Sequence, residues 1–173
     1  MSAGLRKLGL TLHVVASVAW LGAVLGFLAL TVPALRSEHP EVVRGAYISM
    51  DVITRFAILP LCIASLVTGV FQSLISKWGL IQHYWVAFKL LMNVLSTAVL
   101  VGHMRPIALV ADAALGHEFG RGELSNVRVQ IAVDACAAVL VLVIATALAI
   151  YKPRGVTSYG WRKQQARQAN AAA

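Results

Sequence analysis

Charge is scarce in this chain, and negative charge scarcest of all. Aspartate and glutamate together number 7 against 15 lysines and arginines, and charged residues fill 13% of the 173 positions. That is about half the share of a soluble domain, so a freely solvated globule is excluded. Cysteine occurs only at Cys62 and Cys136, both inside apolar runs. No disulfide framework can be built from them, and both read as small buried apolar residues. The chain has no Cys-x-x-Cys, His-Glu-x-x-His, Walker loop or dinucleotide-type glycine pattern, and no serine in a nucleophile context. Zinc hydrolysis, nucleotide chemistry and serine catalysis therefore lack their carriers. No basic surface interleaved with aromatics appears either, which removes nucleic acid as a partner.

What remains is apolar: 59% of the residues are hydrophobic, concentrated at about 8–35, 52–75, 84–103 and 129–150. Each run reaches the ~20 residues that a helix needs to cross a bilayer. The expected fold is all-α, a polytopic bundle of four transmembrane helices in a single domain over 1–153. A basic tail, 154–173, is expected to be largely disordered. The first run follows Arg6 and Lys7 like a signal peptide, but it is too long for a cleaved h-region and reads as a retained span. Both termini and the 76–83 loop share one side, with Arg6, Lys7, Lys77, Lys152, Arg154, Arg162, Lys163 and Arg167 and no carboxylate. Glu38, Glu41, Asp51, Asp112, Glu118, Glu123 and Asp134 lie toward the other side. The bias puts both termini in the cytoplasm, where the net charge of +8 finds anionic lipid headgroups as partners.

Local signals refine this outline. A helix is expected to start near Pro40 or Val42 and lead into the second span, and Pro60 should kink it. Ser76-Lys77-Trp78-Gly79 reads as a tight turn, with Trp78, Tyr84 and Trp85 at the level of an aromatic belt. The third helix should overrun the membrane through Ile107, Leu109, Val110 and Leu115 before Gly116 to Gly122 breaks it. Ser125 suits the N-cap of the fourth helix. Gly22 and Gly26 are spaced for close helix packing.

The informative exceptions are polar residues inside the spans. Lys89, Asn93, Ser96 and His103 are spaced i, i+4, i+7 and i+14, one helix face. A lysine and a histidine in hydrocarbon are costly unless they meet a partner, a cofactor or water. On the first span His13, Ser17, Trp20, Phe27 and Thr31 share a face. His13 and Lys89 enter from the same side to similar depth, so an inner cluster of His13, Lys89, Gln72 and Ser73 is expected, with His83 at the rim. His103 lies ~21 Å beyond Lys89 at 1.5 Å per residue, with Asp51, Arg55, Arg105 and Asp134 around it. One iron therefore cannot be held by both His13 and His103. His13 reads as a haem or metal ligand, or as a histidine bonded to a neighbouring span. Lys89 reads as the partner of a cofactor carboxylate, as a proton-handling group, or as a side chain snorkelling to the interface. Asp134 and Arg55 are the expected outer ion pair. His103, with Met104 and Met50, forms an alternative copper site by its soft and imidazole donors.

The segments His13-Val-Val-Ala-Ser-Val-Ala-Trp20-Leu-Gly22 and Trp78-Gly79-Leu-Ile-Gln-His83-Tyr84-Trp85-Val-Ala-Phe-Lys89, with His103 closing the third span, resemble a widespread bacterial family of integral membrane proteins of unknown function. The first-span histidine with Trp85-x-x-x-Lys89 is also similar to the HemJ-type protoporphyrinogen IX oxidases, which use these residues at a haem b. The histidine and tryptophan-glycine are shared with copper resistance D membrane domains. The oxidases carry an arginine directly after the proline that ends their first span, whereas Ala34 follows Pro33 here. The resemblance implies a bacterial inner-membrane protein that binds haem b and does redox work. His13 would be the axial ligand, Trp20 would pack on the macrocycle, and Lys89 would be the catalytic or propionate-binding group. Copper handling and a structural accessory subunit are the alternatives, and a homo-oligomer is left open.

Overall fold

A computed structural model describes residues 3–75, 80–116, 124–151, 153 and 155–172, without the side chains of residues 3, 164, 166, 167 and 170–172. The expected turn Ser76 to Gly79 with Trp78, the Gly116 to Gly122 break beyond Gly116, and the charges Lys77, Glu118, Arg121, Glu123, Lys152 and Arg154 lie outside the described residues, as does the Arg167 side chain. The chain is all-α: α1 (Ala3–Arg36), α2 (Pro40–Ile53), α3 (Leu59–Ile75), α4 (Tyr84–Leu115), α5 (Ser125–Tyr151) and α6 (Ser158–Ala172). A π-helical turn over Thr54–Ile58 joins α2 to α3, so Pro40–Ile75 is one continuous span. Four helices are long and apolar enough to cross a membrane, the mark of a multi-pass membrane protein. Each packs chiefly on its sequence neighbours, and α5 closes the ring on α1. This is an up-down-up-down bundle with α1 and α4 across a diagonal.

The helices extend further than the apolar runs. α1 carries Pro33 inside it and reaches Arg36, and α4 carries Pro106 and runs to Leu115. The tightest packing is at the end opposite the termini, where Ala34, Tyr47, Met50, Val110 and Ala114 are all but inaccessible. Toward the middle the outward faces are Val15, Val18, Val67, Leu95 and Leu140, all more than 45% exposed. An apolar exterior of this kind suits lipid rather than water. The π-turn has a local cause. Pro60 has no N–H to donate, and just before it Leu59 N–H reaches five residues back to the Thr54 carbonyl. The proline expected to kink the helix is thus accompanied by a widened turn.

Four expectations are corrected. Gly22 and Gly26 face open space instead of a neighbouring helix. Cys136 is exposed on the outer face of α5, whereas Cys62 is buried. Asp134 does not pair with Arg55, because Arg55 turns back along its own helix to Asp51 at 2.8 Å. The tail is helical over Ser158–Ala172 where disorder was expected. Thr157 starts that helix: its Oγ1 accepts from Gly160 N–H at 3.1 Å and its hydroxyl donates to the Ile81 carbonyl at 2.7 Å. Thr157 N–H also donates to Gln82 O at 3.0 Å, and Val156 bridges to His83. The segment before α6 is therefore strapped to the residues that lead into α4.

Candidate functional site

Two antiparallel registers position the polar residues. Between α1 and α3, the Ser17 and Ser65 hydroxyls meet at 2.9 Å and His13 Nδ1 lies 3.2 Å from Thr68 Oγ1. Between α3 and α4, Cys62 Sγ lies 3.1 Å from Thr97 Oγ1. Together they bring Lys89 level with His13 and Gly69. Gln72 stands about a turn nearer the termini and Asn93 about a turn deeper. Lys89 lies within electrostatic reach of His13 across the bundle. The residues of the expected inner cluster thus lie within about a turn of one level, without a hydrogen bond between His13, Lys89 and Gln72 among the described residues.

The state of the imidazole follows from its partner. Thr68 has one hydroxyl proton, and it donates to the Ala64 carbonyl at 2.6 Å. Thr68 Oγ1 must then accept from His13 Nδ1–H, which leaves the lone pair on Nε2. The Ser65 backbone carbonyl is a second hydrogen-bond acceptor for the ring. The ring lies so close to α3 that a Cβ on Gly69 would stand 2.9 Å from His13 Cε1. The absent side chain makes the space in which the imidazole sits.

The rest of the layer is under-bonded. Lys89 makes no hydrogen bond or ion pair among the described residues. Gln72 Oε1 and Asn93 Oδ1 are buried without a donor. Buried polar atoms are normally paired, so this layer has polar capacity to offer a guest or water. Ser73 donates to the Gly69 carbonyl at 2.8 Å. Trp20 is 4% exposed within the apolar cluster of Val24, Phe27 and Cys62, with Nε1 unpaired. It stands ~10 Å along α1 from His13.

The outer histidine is engaged differently. His103 Nδ1–H donates to the Val99 carbonyl at 2.8 Å, and Nε2 lies 2.7 Å from Asp134 Oδ2. The approach to Oδ2 is too oblique for a well-formed hydrogen bond but is well within ion-pair distance. Gln130 holds the other oxygen, Oδ1, at 2.8 Å. Nδ1 is thus engaged by its own helix, and Nε2 faces the Asp134 carboxylate on α5. Met50, 1% exposed, lies ~9 Å along the bundle from His103 by the α3–α4 register. Among the described residues no group of three or more His, Cys, Asp or Glu is placed to hold a metal ion.

Beyond this pair, at the far end of the bundle, Arg128 Nε donates to Tyr47 Oη at 2.7 Å and Nη2 to the Ala34 carbonyl at 2.6 Å. Its guanidinium also lies 5.4 Å from the Tyr47 ring centroid. One side chain thus ties α5 to α1 and α2. Sequence reasoning missed this clamp, and it missed Thr68 and Gly69. The signal for the latter was present: Ser65, Thr68, Gly69, Gln72 and Ser73 repeat at helical spacing on α3. No family model, curated protein or solved structure matches this chain.

Proposed function

We propose that this is an inner-membrane protein that binds haem b on His13 and uses it in redox work, with both termini in the cytoplasm. The observation that carries the reading is the pinned imidazole, held at Nδ1 by Thr68 and bonded to the Ser65 backbone, and we assign its lone pair to Nε2. A histidine ligand is usually fixed in this way by a bond from its other nitrogen. The donor chemistry therefore fits an axial ligand, and it carries further than the residue resemblance to HemJ-type oxidases does. Lys89, an unpaired ammonium at the same level, supplies the charge that a propionate carboxylate needs. Gln72 and Asn93 flank it with free acceptors. Bound haem would supply one-electron chemistry. The chain's own part is to orient the imidazole through Thr68, to neutralise an acidic edge through Lys89, and to keep water out with the apolar cluster around Trp20. The basic rim at the termini supports the cytoplasmic orientation and a bilayer rich in anionic lipid on that side.

The test is an absorption spectrum of the protein purified in detergent from haem-replete cells. A Soret band that disappears in His13→Ala but persists in His103→Ala is expected. A colourless preparation that also fails to take up added hemin would overturn the reading.

A further inference from the structure

A second polar site stands at the opposite end of the bundle, where α1 ends, α2 begins and α5 enters. A hollow of about 370 Å³ there is lined by Leu35, Arg36, Ser37, Glu38, Pro40, Val43, Arg44 and Arg128. Three guanidinium groups and one carboxylate face one concavity, so the local charge is positive. Arg128 is fixed by Tyr47 and the Ala34 carbonyl. Arg36 and Arg44 make no hydrogen bond or ion pair among the described residues, not even with Glu38 inside the same hollow. Two unpaired guanidiniums beside a rigid third one form a cradle for an oxyanion, because each presents a planar fork that matches phosphate oxygens.

The depth of the hollow points to the bilayer surface. No lysine, arginine, aspartate or glutamate occurs between Lys7 and Arg36, so Arg36 is the first charge that follows the apolar run of α1. By the His103–Asp134 register, the level of Arg128 is ~30 Å along the bundle from that of Lys89, the thickness of the hydrocarbon. Leu35, which lines the hollow, and Val129, which lines the space adjoining it at Arg128, are each more than 40% exposed and form an apolar lip beside the guanidiniums. Apolar lip and cationic floor repeat the acyl-to-headgroup boundary.

We infer that this hollow binds a phosphate group, held by Arg36 and Arg44 on a floor fixed by Arg128, with the phosphodiester of an anionic lipid as the ligand that suits its depth. A free phosphate offers the same chemistry, and the test separates the two. The site is independent of the His13 layer and does not rest on the haem reading.

The experiment is a native mass spectrometry titration of the detergent-solubilised full chain with phosphatidylglycerol, phosphatidylcholine and inorganic phosphate. Arg36→Gln/Arg44→Gln is compared with Arg36→Lys/Arg44→Lys, and folding is checked by thermal midpoint. The wild type should retain phosphatidylglycerol over phosphatidylcholine, and the glutamine pair should weaken it about tenfold or more. The lysine pair should fall between, because charge is kept while the fork is lost. Inorganic phosphate that competes the lipid away would assign the site to a soluble anion of the same chemistry. Equal retention of phosphatidylglycerol by the wild type and a folded glutamine pair would overturn the proposal, as would no preference for phosphatidylglycerol together with no binding of phosphate.

Discussion

Gly160 lies so close to Gln82 that a Cβ placed on it would collide with the Gln82 carbonyl oxygen. That backbone cannot be pushed aside like the end of a flexible side chain. The approach is what allows Thr157 to hold both the first turn of α6 and the residues before α4. Gly160→Ala should therefore release α6 from the bundle while the four spans stay folded. Limited trypsin digestion should cut at Arg162 and Lys163 several-fold faster than in the wild type, with the thermal midpoint of the spans unchanged. Equal digestion rates would show that the strap does not hold the tail.

Thr68→Val removes the acceptor of His13 Nδ1–H at almost constant volume. The cost in stability should be about 0.5–1.5 kcal/mol, the range for side-chain bonds between membrane helices. The informative change is chemical. With Nδ1 released the ring no longer has a fixed tautomer or orientation, so haem content should fall and the residual Soret band should shift. Thr68→Ser restores the oxygen and should restore the spectrum.

Gly69→Ala tests the same imidazole by crowding. The added methyl would meet Cε1 of His13 at 2.9 Å, and the ring can rotate away at modest cost. Stability should change by about 1 kcal/mol or less, while haem occupancy falls sharply. Gly22→Ala and Gly26→Ala are the controls. Nothing lies within 4 Å of either new methyl, so both should be silent in spectrum and midpoint.

These contrasts show what the sequence could and could not carry. The four spans, the overrun of the third helix and the level shared by His13 and Lys89 follow from apolar length and a period of 3.6, which one chain states directly. The partner of Asp134 does not. Arg55 and His103 were both plausible by depth, and the choice depends on azimuth. Arg55 sits in the π-turn and closes onto Asp51 one turn back. Gly22 and Gly26 show the same limit, because spacing states that two glycines share a face but not which way that face points. The Arg128 clamp joins residues 81 and 94 positions apart, and no local pattern announces it. The tail helix depends on the strap around Thr157 and on Gly160, neither of which stands out from composition.

The His103–Asp134 contact should behave as a partly buried polar pair between α4 and α5. Removal of either partner leaves the other in a poorly solvated place, so His103→Ala and Asp134→Ala should each cost about 1–3 kcal/mol, above the 0.2–1 expected for a water-exposed pair. A double-mutant cycle on thermal unfolding in detergent should return a coupling energy of about 1 kcal/mol or more. Additive losses would mean that the 2.7 Å approach contributes nothing to the joining of α4 to α5.

Lys89 separates a working site from glue between helices. It carries an ammonium with no hydrogen-bond or ion-pair partner among the described residues, beside two acceptors that it does not reach. Desolvation opposes folding at such a position and nothing internal offsets it. Lys89→Met keeps the length and volume of the side chain and removes that cost. The thermal midpoint of haem-free protein should therefore rise, by the equivalent of about 1–2 kcal/mol on the scale of stabilising substitutions at functional positions. Haem retention should move the other way, because a propionate loses the cation at its level. Glu or Gln at position 89 should not reproduce this pair of changes, since each adds a polar group with its own desolvation cost. If instead Lys89→Met lowered the midpoint and left haem content intact, the ammonium would be holding helices together, and the polar layer would be structural.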